Sequence, residues 1–569
     1  MTLRPSNLAT IAALSLMLGP ILAGLAGSLA PAFGWLPALG GDSLTLEPMR
    51  QLFATPGIGR SVALSLASGL LTTILALAAT IGLLAAWSDT RFFGWMQRLI
   101  SPLLSIPHAA TAFGFAFLLA PSGWLVRAIS PELTGWTRPP DWLFPNDPFG
   151  LAMIAGLAIK ELPFLLLVSL AALPQTDPRR HADVARTLGY GRMAAWIYGV
   201  WPRLYARIRL PIFAVIAYAS SVVDVALILG PTNPPTLAVQ LMRWMSDPDL
   251  DMRFLASAGA MLQLMVTLSA LLLWWLGERL VARLFNCAHR TGRRWQRDGS
   301  LRLTVAAINI IAASVMIFGL AGLVLWSFAG FWRFPDALPV EVGLDTWRKQ
   351  IPMLVTPLLH SILIGGVATL IALFVTIACL ETETRDGASL RGGRNRSWLG
   401  LIYLPLIVPQ VAFLFGLQLL FLVTSVHHSS GAVILGHLIF VMPYVLLSLG
   451  DPWRNLDPRY AQLAASLGRS QWTAFWRLRL PLLMRPILTA AAVGFAVSIG
   501  QYLPTLIIGG GRWETITTEA IALSAGGNRR LIGVYALMQM LLPFLGFLVA
   551  TLVPAMLYRQ RRDMQATGR

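Results

Sequence analysis

The sequence predicts an all-α polytopic membrane protein with about twelve transmembrane helices, arranged as two parallel repeats of six. Three observations support this fold class: apolar runs recur along the whole chain, charged residues make up only 12% of it, and its second part repeats features of the first. A soluble protein of 569 residues needs more charge to cover its surface. Runs of about 20 apolar residues can cross a hydrocarbon core about 30 Å thick, and inside a bilayer such runs form helices.

Twelve runs meet this requirement of length and composition. They cover approximately residues 8–30, 61–87, 98–120, 150–174, 210–232, 255–278, 303–329, 359–381, 399–424, 431–450, 485–508 and 532–557. The first run also resembles a signal peptide, since Arg4 precedes it and small residues lie near its end. Its counterpart at 303–329 cannot be a signal, so we expect the first run to be a retained helix.

The formal net charge of +18 is distributed unevenly along the chain. Most of the 44 Lys and Arg residues fall in the two termini and in the even-numbered connections between the runs. Because cytoplasmic loops are enriched in Lys and Arg, this bias places both termini on the cytoplasmic side of the membrane. The charge therefore indicates orientation in the lipid bilayer, and we expect no nucleic-acid partner.

Single residues recur at corresponding places in the two halves. The pairs are Ser61 with Ser361, Pro107 with Pro409, Gly114 with Gly416, Gly156 with Gly436, Pro163 with Pro443, Gly230 with Gly509, and Gln263 with Gln539. For any one of these glycines or prolines, helix packing is the simplest explanation, and only the shared register adds information. Six helices is an even number, so both halves enter the membrane in the same orientation.

We therefore predict three regions. The N-terminal half covers 1–278, a cytoplasmic Arg-rich linker covers 279–302, and the C-terminal half covers 303–569. The linker contains no hydrophobic span and is expected to be solvated.

Two Arg-rich segments between apolar runs share one pattern. The first contains Asp177-Pro178-Arg179, then Asp183-Val-Ala-Arg-Thr-Leu-Gly189, and later Pro202. The second contains Asp457-Pro458-Arg459, then Gln462-Leu-Ala-Ala-Ser-Leu-Gly468, and later Pro481. Each predicts a short helix, a turn at a Gly where a side chain would be unfavourable, and a second short helix.

Aromatic residues follow the glycine in both segments. They are Trp196 and Tyr198 in the first segment, and Trp472, Phe475 and Trp476 in the second. Exposed aromatic side chains on a surface loop are expected to be buried against a partner. Alternatively, they lie in the lipid headgroup region as interfacial anchors.

This spacing, found twice in register, resembles the "EAA" loops of binding-protein-dependent (type I) ABC importer permeases. The resemblance extends over nearly the whole chain, and it is nearest to permeases for thiamine, ferric iron and oxyanions. It implies that Asp183, Ala185, Gly189, Trp196 and Pro202 dock one ATPase subunit. It implies a second dock formed by Gln462, Ala464, Gly468, Phe475 and Pro481, in which Gln462 lacks the usual acidic charge.

The sequence contains no G-x-x-x-x-G-K-[ST] motif that could hold ATP phosphates. We therefore expect no cofactor in this chain, with ATP and Mg²⁺ bound by separate cytoplasmic ATPase subunits. The resemblance also implies a multi-pass location in a bacterial plasma (inner) membrane and a periplasmic or extracellular substrate-binding protein. No Ser-His-Asp or paired-carboxylate set is recognisable, so we expect no catalytic residue.

Charged and polar residues also occur inside predicted spans, where a charge costs at least about 3 kcal/mol. Lys160 and Glu161 lie near the middle of the fourth run, and they point about 100° apart on a helix, so they need not pair. Asp224 lies in the fifth run, and Gln501-Tyr502 occupy the corresponding place in the second half. We predict that these five residues line a translocation path. For Lys160 and Glu161 the alternatives are structural neutralisation by another helix and a different boundary of the span.

No metal site is expected. The pair His427-His428 lies in a short outer loop with no Cys or acid spaced near it, so we interpret it as solvated. Cys287 and Cys379 fall on the cytoplasmic side, where no disulfide is expected.

These observations favour the permease subunit of an ATP-driven ABC importer, with a thiamine-like substrate suggested by the resemblance alone. The main alternative is an ion-coupled secondary transporter with twelve helices that uses Lys160, Glu161 and Asp224 as coupling charges. A membrane-embedded enzyme is a more distant third hypothesis. The two Gly-to-Pro loops separate the hypotheses, because a self-powered transporter does not need them.

Overall fold

The computed structural model describes residues 5–292, 294–385, 401–426 and 429–558, and every regular element in these ranges is helical. The helices before the predicted linker are α1 Pro5–Ala32, α2 Glu47–Ala54, α3 Ile58–Trp87, α4 Arg91–Ile100, α5 His108–Leu119, α6 Trp124–Ala128, α7 Leu151–Ala172, α8 Pro178–Thr187, α9 Arg192–Gly199, α10 Trp201–Ser221, α11 Asp224–Leu229, α12 Leu237–Met245 and α13 Met252–Arg290. Those after it are α14 Gly299–Phe328, α15 Asp345–Arg385, α16 Leu404–Ile407, α17 Gln410–Val423, α18 Ser430–Arg454, α19 Arg459–Ser466, α20 Gln471–Ala474, α21 Leu480–Leu482, α22 Met484–Ile499, α23 Leu503–Gly509, α24 Ile516–Ser524 and α25 Arg529–Leu557.

The predicted all-helical polytopic class is confirmed. Within the described ranges nine helices are long and apolar enough to cross a membrane, or ten if the pair Gln471–Leu482 and Met484–Ile499, bent by 69°, counts as one span. Three of the twelve predicted runs, 210–232, 399–424 and 485–508, have no counterpart among these nine helices. The run 98–120 is also interrupted, between Ile100 and His108.

Two of these three runs are broken in the middle, and the third contains only a short helix. The run 210–232 breaks at Val222–Val223 between α10 and α11, and the run 485–508 breaks at Gly500–Tyr502 between α22 and α23. The described part of the run 399–424 contains the short helix α17, which has 14 residues. The breaks at Val222–Val223 and Gly500–Tyr502 occupy corresponding positions in the two predicted halves.

The first helix of each predicted half packs on the other half. Helix α1 packs against α17, and α14 packs against α5. Glycines allow the close approach: a Cβ atom on Gly27 would lie 2.7 Å from the carbonyl oxygen of Gly416, and one on Gly114 would lie 2.9 Å from the carbonyl carbon of Gly319. Small residues at such crossings let helix backbones come into contact inside a membrane. The exchange of first helices ties the two predicted halves together.

Equivalent residues make equivalent contacts elsewhere in the fold. A Cβ atom on Gly156 would lie 2.6 Å from Leu229, and one on Gly436 would lie 2.5 Å from Ile508, so each glycine leaves room for the short helix after a break.

The predicted correspondence of Ser61 with Ser361 is wrong by one helical turn. The Ser65 hydroxyl accepts the first amide of α12 at 3.0 Å, and the Ser361 hydroxyl accepts the first amide of α24 at 2.9 Å. The structure therefore pairs Ser65, rather than Ser61, with Ser361.

The predicted linker is partly helical. Helix α13 continues to Arg290 and so includes the first twelve residues of the predicted linker, and α14 begins at Gly299. Cys287 lies exposed on α13, and Cys379 is buried on α15. The predicted histidine pair, His427-His428, lies outside the described residues.

Candidate functional site

A cavity of about 290 Å³ lies where the two predicted halves meet. Corresponding elements from both sides enclose it: the starts of α5 and α17, the middles of α7 and α18, and the two breaks after α10 and α22. Irregular backbone inside a membrane is tolerated where it lines such a cavity. All five residues predicted for the translocation path, namely Lys160, Glu161, Asp224, Gln501 and Tyr502, line this one cavity.

Lys160 is buried and is held by backbone rather than by an acid. Its Nζ donates to the carbonyl oxygens of Leu103 and Leu104, at 3.2 and 3.1 Å. These carbonyls belong to the 3₁₀ turn Ser101–Ser105 that precedes α5. A buried ammonium needs such partners because losing water is costly. Lys160 therefore fixes the turn at the cavity wall.

Glu161 does not share the partners of Lys160, the residue before it. The Nε2 atom of His108 lies 3.0 Å from Glu161 Oε1, and the Glu161 side chain is only 7% exposed. The His108 ring also contacts the ring of Tyr218, with centroids 4.7 Å apart. Sequence reasoning missed His108, although it directly follows Pro107, one of the residues that mark the repeat. Its counterpart after Pro409 is Gln410, which also lines the cavity.

Asp224 begins α11, immediately after the break in the fifth run, and is 8% exposed. Among the residues that the structure describes, no Lys, Arg or His comes within ion-pair distance of it. Asp224 is therefore a carboxylate at the cavity wall without an ion-pair partner among these residues, and His108 acts on it electrostatically from beyond ion-pair distance.

The second half contributes uncharged groups at the same level. Gln410 Nε2 lies 3.5 Å from Gln501 Oε1, at the outer limit of a hydrogen bond. The Tyr502 hydroxyl lies 3.8 Å from the sulfur of Met242. Tyr444, which sequence reasoning also missed, lines the cavity from α18. The ionisable acids thus come from one half and the neutral polar groups from the other.

The first predicted docking loop is folded against its own half. Helices α8 and α9 flank Gly189, whose φ of +87° lies in the left-handed region that favours Gly. Asp183 is exposed and lies 3.1 Å from Arg186 on the same helix, whereas Ala185 is buried. Trp196 is only 4% exposed and packs in the core, so the expectation of exposed aromatic residues is wrong for this side chain.

The segment between α13 and α14 covers the turn of this loop. The amide of Gly191 donates to the carbonyl oxygen of Arg294 at 3.1 Å, and Gln296 Nε2 donates to the carbonyl oxygen of Gly189 at 3.0 Å. Asp298 accepts the amide of Met193 at 2.8 Å. Part of the predicted linker is therefore attached to the first loop rather than fully solvated.

The second predicted docking loop is more exposed. Gly468 again has a positive φ of +67°, but a Cβ atom there would meet nothing within 4 Å. No residue of α19, which carries Gln462 and Ala464, is buried. Trp472 and Trp476 are 63% and 53% exposed, as expected from the sequence. Phe475 begins a π-helical turn that leads through Pro481 into α22.

Each loop is continuous with a helix that reaches the cavity. Helix α9 ends at Gly199, and α10 begins at Trp201 with Pro202 in its first turn. Helix α10 has 21 residues, which corresponds to about 30 Å, and ends beside Asp224. Helix α22 similarly ends beside Gln501. Each loop is therefore linked to the cavity wall through one helix, and a movement of the loop could reach the wall along it.

Comparison with known proteins gives relatives of the whole chain and of part of it. Residues 387–562 match the family described as "Binding-protein-dependent transport system inner membrane component". The inner membrane ABC transporter permease protein YnjC of Escherichia coli (strain K12) is 32% identical over 519 residues, which cover 90% of this chain and 91% of that protein.

Two further relatives carry substrate names. The thiamine transport system permease protein ThiP of Escherichia coli (strain K12) is 26% identical, with 85% of this chain and 87% of the relative covered. The molybdenum transport system permease protein ModB of Mycobacterium bovis is 30% identical over 188 residues, which cover 30% of this chain and 70% of the relative.

Proposed function

Because the chain belongs to the family of binding-protein-dependent ABC importer permeases, we propose that it forms the substrate path of an ATP-driven importer and docks separate ATPase subunits through its two loops. It is a multi-pass inner membrane permease subunit, not an enzyme. The family assignment disfavours the alternative of an ion-coupled secondary transporter. In the proposed complex, ATP and Mg²⁺ are bound by the partner ATPase.

The observation that carries the docking proposal is the repeated loop geometry. Both loops contain two short helices around a glycine at positive φ, and both lead into a helix that ends at the cavity. The dock of the first half would consist of Asp183, Ala185 and Gly189 with Pro202 behind them, and that of the second half of Gln462, Ala464, Gly468, Phe475 and Pro481. Trp196 would support its dock from inside, because it is buried.

We further propose that the chain consists of two permease halves, 1–278 and 303–569, joined by a linker at 279–302. The 188-residue match to ModB supports this division, since it covers 70% of that relative with 30% of this chain. Both termini would lie in the cytoplasm, and an external substrate-binding protein would deliver the substrate. The similarity to ThiP favours a thiamine-like substrate.

The docking proposal can be tested by co-expressing the chain with the ABC ATPases of its own genome and measuring co-purification. Gly189→Val and Gly468→Val should each reduce ATPase retention while the chain still inserts in the membrane, because a β-branched residue is costly at positive φ. Gly277→Val is the control, since a Cβ atom added at this helical glycine would meet nothing within 4 Å. Full ATPase retention by both loop variants would contradict the proposal.

A further inference from the structure

We infer that the cavity between the two halves is itself a binding site for an organic cation with an aromatic or apolar body. Asp224 would receive the positive charge, and the tyrosine rings around it would cover the ligand. This inference rests on the proposed function, since it names the substrate class of the same path.

The charge distribution in the cavity leaves one carboxylate available. Lys160 is occupied by two carbonyl oxygens, and Glu161 is occupied by His108. Asp224 lines the cavity without an ion-pair partner within the part of the chain that the structure describes, and His108, which contacts Glu161, acts on it only from beyond ion-pair distance. A carboxylate removed from water is stabilised by a counter-charge, and a cationic ligand would supply one.

The walls around Asp224 suit a cation with a flat body. Tyr218, Tyr444, Tyr502 and Phe440 line the same cavity, and the Tyr218 ring lies tilted against the His108 ring. Aromatic ring faces attract cations within about 6 Å of the ring centroid. A mostly apolar wall with a few polar groups is the usual composition of a small-molecule site. The recognition chemistry is therefore a carboxylate combined with ring faces.

The same features disfavour an oxyanion as ligand. Glu161 and Asp224 both lie on the wall contributed by the first half, and the second half provides amides and phenols without a positive charge. An oxyanion would have to compete with two carbonyl oxygens for Lys160. The cavity volume of about 290 Å³ is close to the lower limit of about 300 Å³ for small-molecule pockets, so the ligand must be small.

The test measures binding to the full chain in lipid nanodiscs, with radiolabelled thiamine as the probe cation. We expect saturable binding with one site per chain, and competition by unlabelled thiamine but neither by thiochrome, an uncharged compound made from thiamine, nor by molybdate. Asp224→Asn should raise the Kd about tenfold or more, because it removes one charge-assisted contact and keeps the shape. Asp141→Asn, at an exposed loop position, is the matched control and should leave the Kd unchanged.

A second pair of variants tests the aromatic wall. Tyr444→Leu should weaken binding, and Tyr444→Phe should keep it, because the ring rather than the hydroxyl covers the cation. An unchanged Kd in Asp224→Asn, or equal competition by thiochrome, would overturn the inference. Retained ATPase association without any thiamine binding would also overturn it and leave the proposed function intact. Loss of ATPase association in the unsubstituted chain would instead remove the proposed function, and this inference with it.

Discussion

The buried charged residues of the cavity differ in their partners. Lys160 donates to two carbonyl oxygens, Glu161 contacts His108, and Asp224 has no ion-pair partner among the described residues. Sequence reasoning found these three because a charge in an apolar run is costly and therefore conspicuous. It missed His108 and Tyr444, because no feature of an apolar run shows which of its polar residues face a cavity.

The structural role of Lys160 can be separated from a role in transport. Lys160→Met should leave the carbonyl groups of Leu103 and Leu104 without a donor and lower the stability of the chain by about 1–3 kcal/mol. The measurement is thermal unfolding of the purified chain in detergent, with a lower Tm expected. Lys349→Met is the matched control, since Lys349 is exposed. Equal Tm values for the two variants would show that the contacts with the turn do not stabilise the fold.

Asp183 makes the two proposed docks unequal in charge. It is exposed, whereas Gln462 at the corresponding position is neutral. Asp183→Asn should therefore weaken ATPase co-purification more than Gln462→Ala does. The difference should shrink at high salt, because exposed charges are screened beyond about 8–10 Å at physiological ionic strength. Equal losses from the two substitutions at low salt would refute this asymmetry.

At the scale of elements, the two loops have the same order of helix, glycine and helix but differ in what covers them. The segment 294–298 forms hydrogen bonds with the turn and the second helix of the first loop. In the second loop, no residue of α19 is buried. The helix–Gly–helix pattern was predictable, because Gly at positive φ and Pro at a helix start have local causes. The burial of Trp196 was not, because it depends on contacts between segments distant in sequence.

The attachment of the linker to the first loop can be tested at Gly191. This residue has an ordinary extended φ of −62°, so an added methyl group causes no backbone strain there, but it would overlap the carbonyl oxygen of Trp295. Gly191→Ala should therefore displace the segment and speed amide hydrogen exchange in 294–298 and in α9. Gly94→Ala is the control, because a Cβ atom there meets nothing within 4 Å. Unchanged exchange in both segments would mean that the linker is not held by this contact.

At the scale of the whole molecule, the two predicted halves enclose the cavity, and the first helix of each packs on the other. The helical class and the register of Gly114 with Gly416 followed from composition and spacing, which act locally. The exchange of α1 and α14 did not, because apolar helices of similar composition give no sequence signal for which half they contact. The breaks beside Asp224 and Gln501 were likewise hidden inside runs that look continuous.

The cavity is expected to be a water-accessible path whose exposure depends on ATP bound to the partner ATPase. The most direct measurement uses Asp224→Cys and Gln501→Cys, each in a background with Cys287→Ser and Cys379→Ser. Both positions should react with a small hydrophilic thiol reagent, since they line the cavity, and the rates should change when ATP is trapped on the complex. Ala85→Cys, at a buried position outside the cavity, should stay unreactive. If positions 224 and 501 also stay unreactive in every state, the cavity is packed interior and not a substrate path.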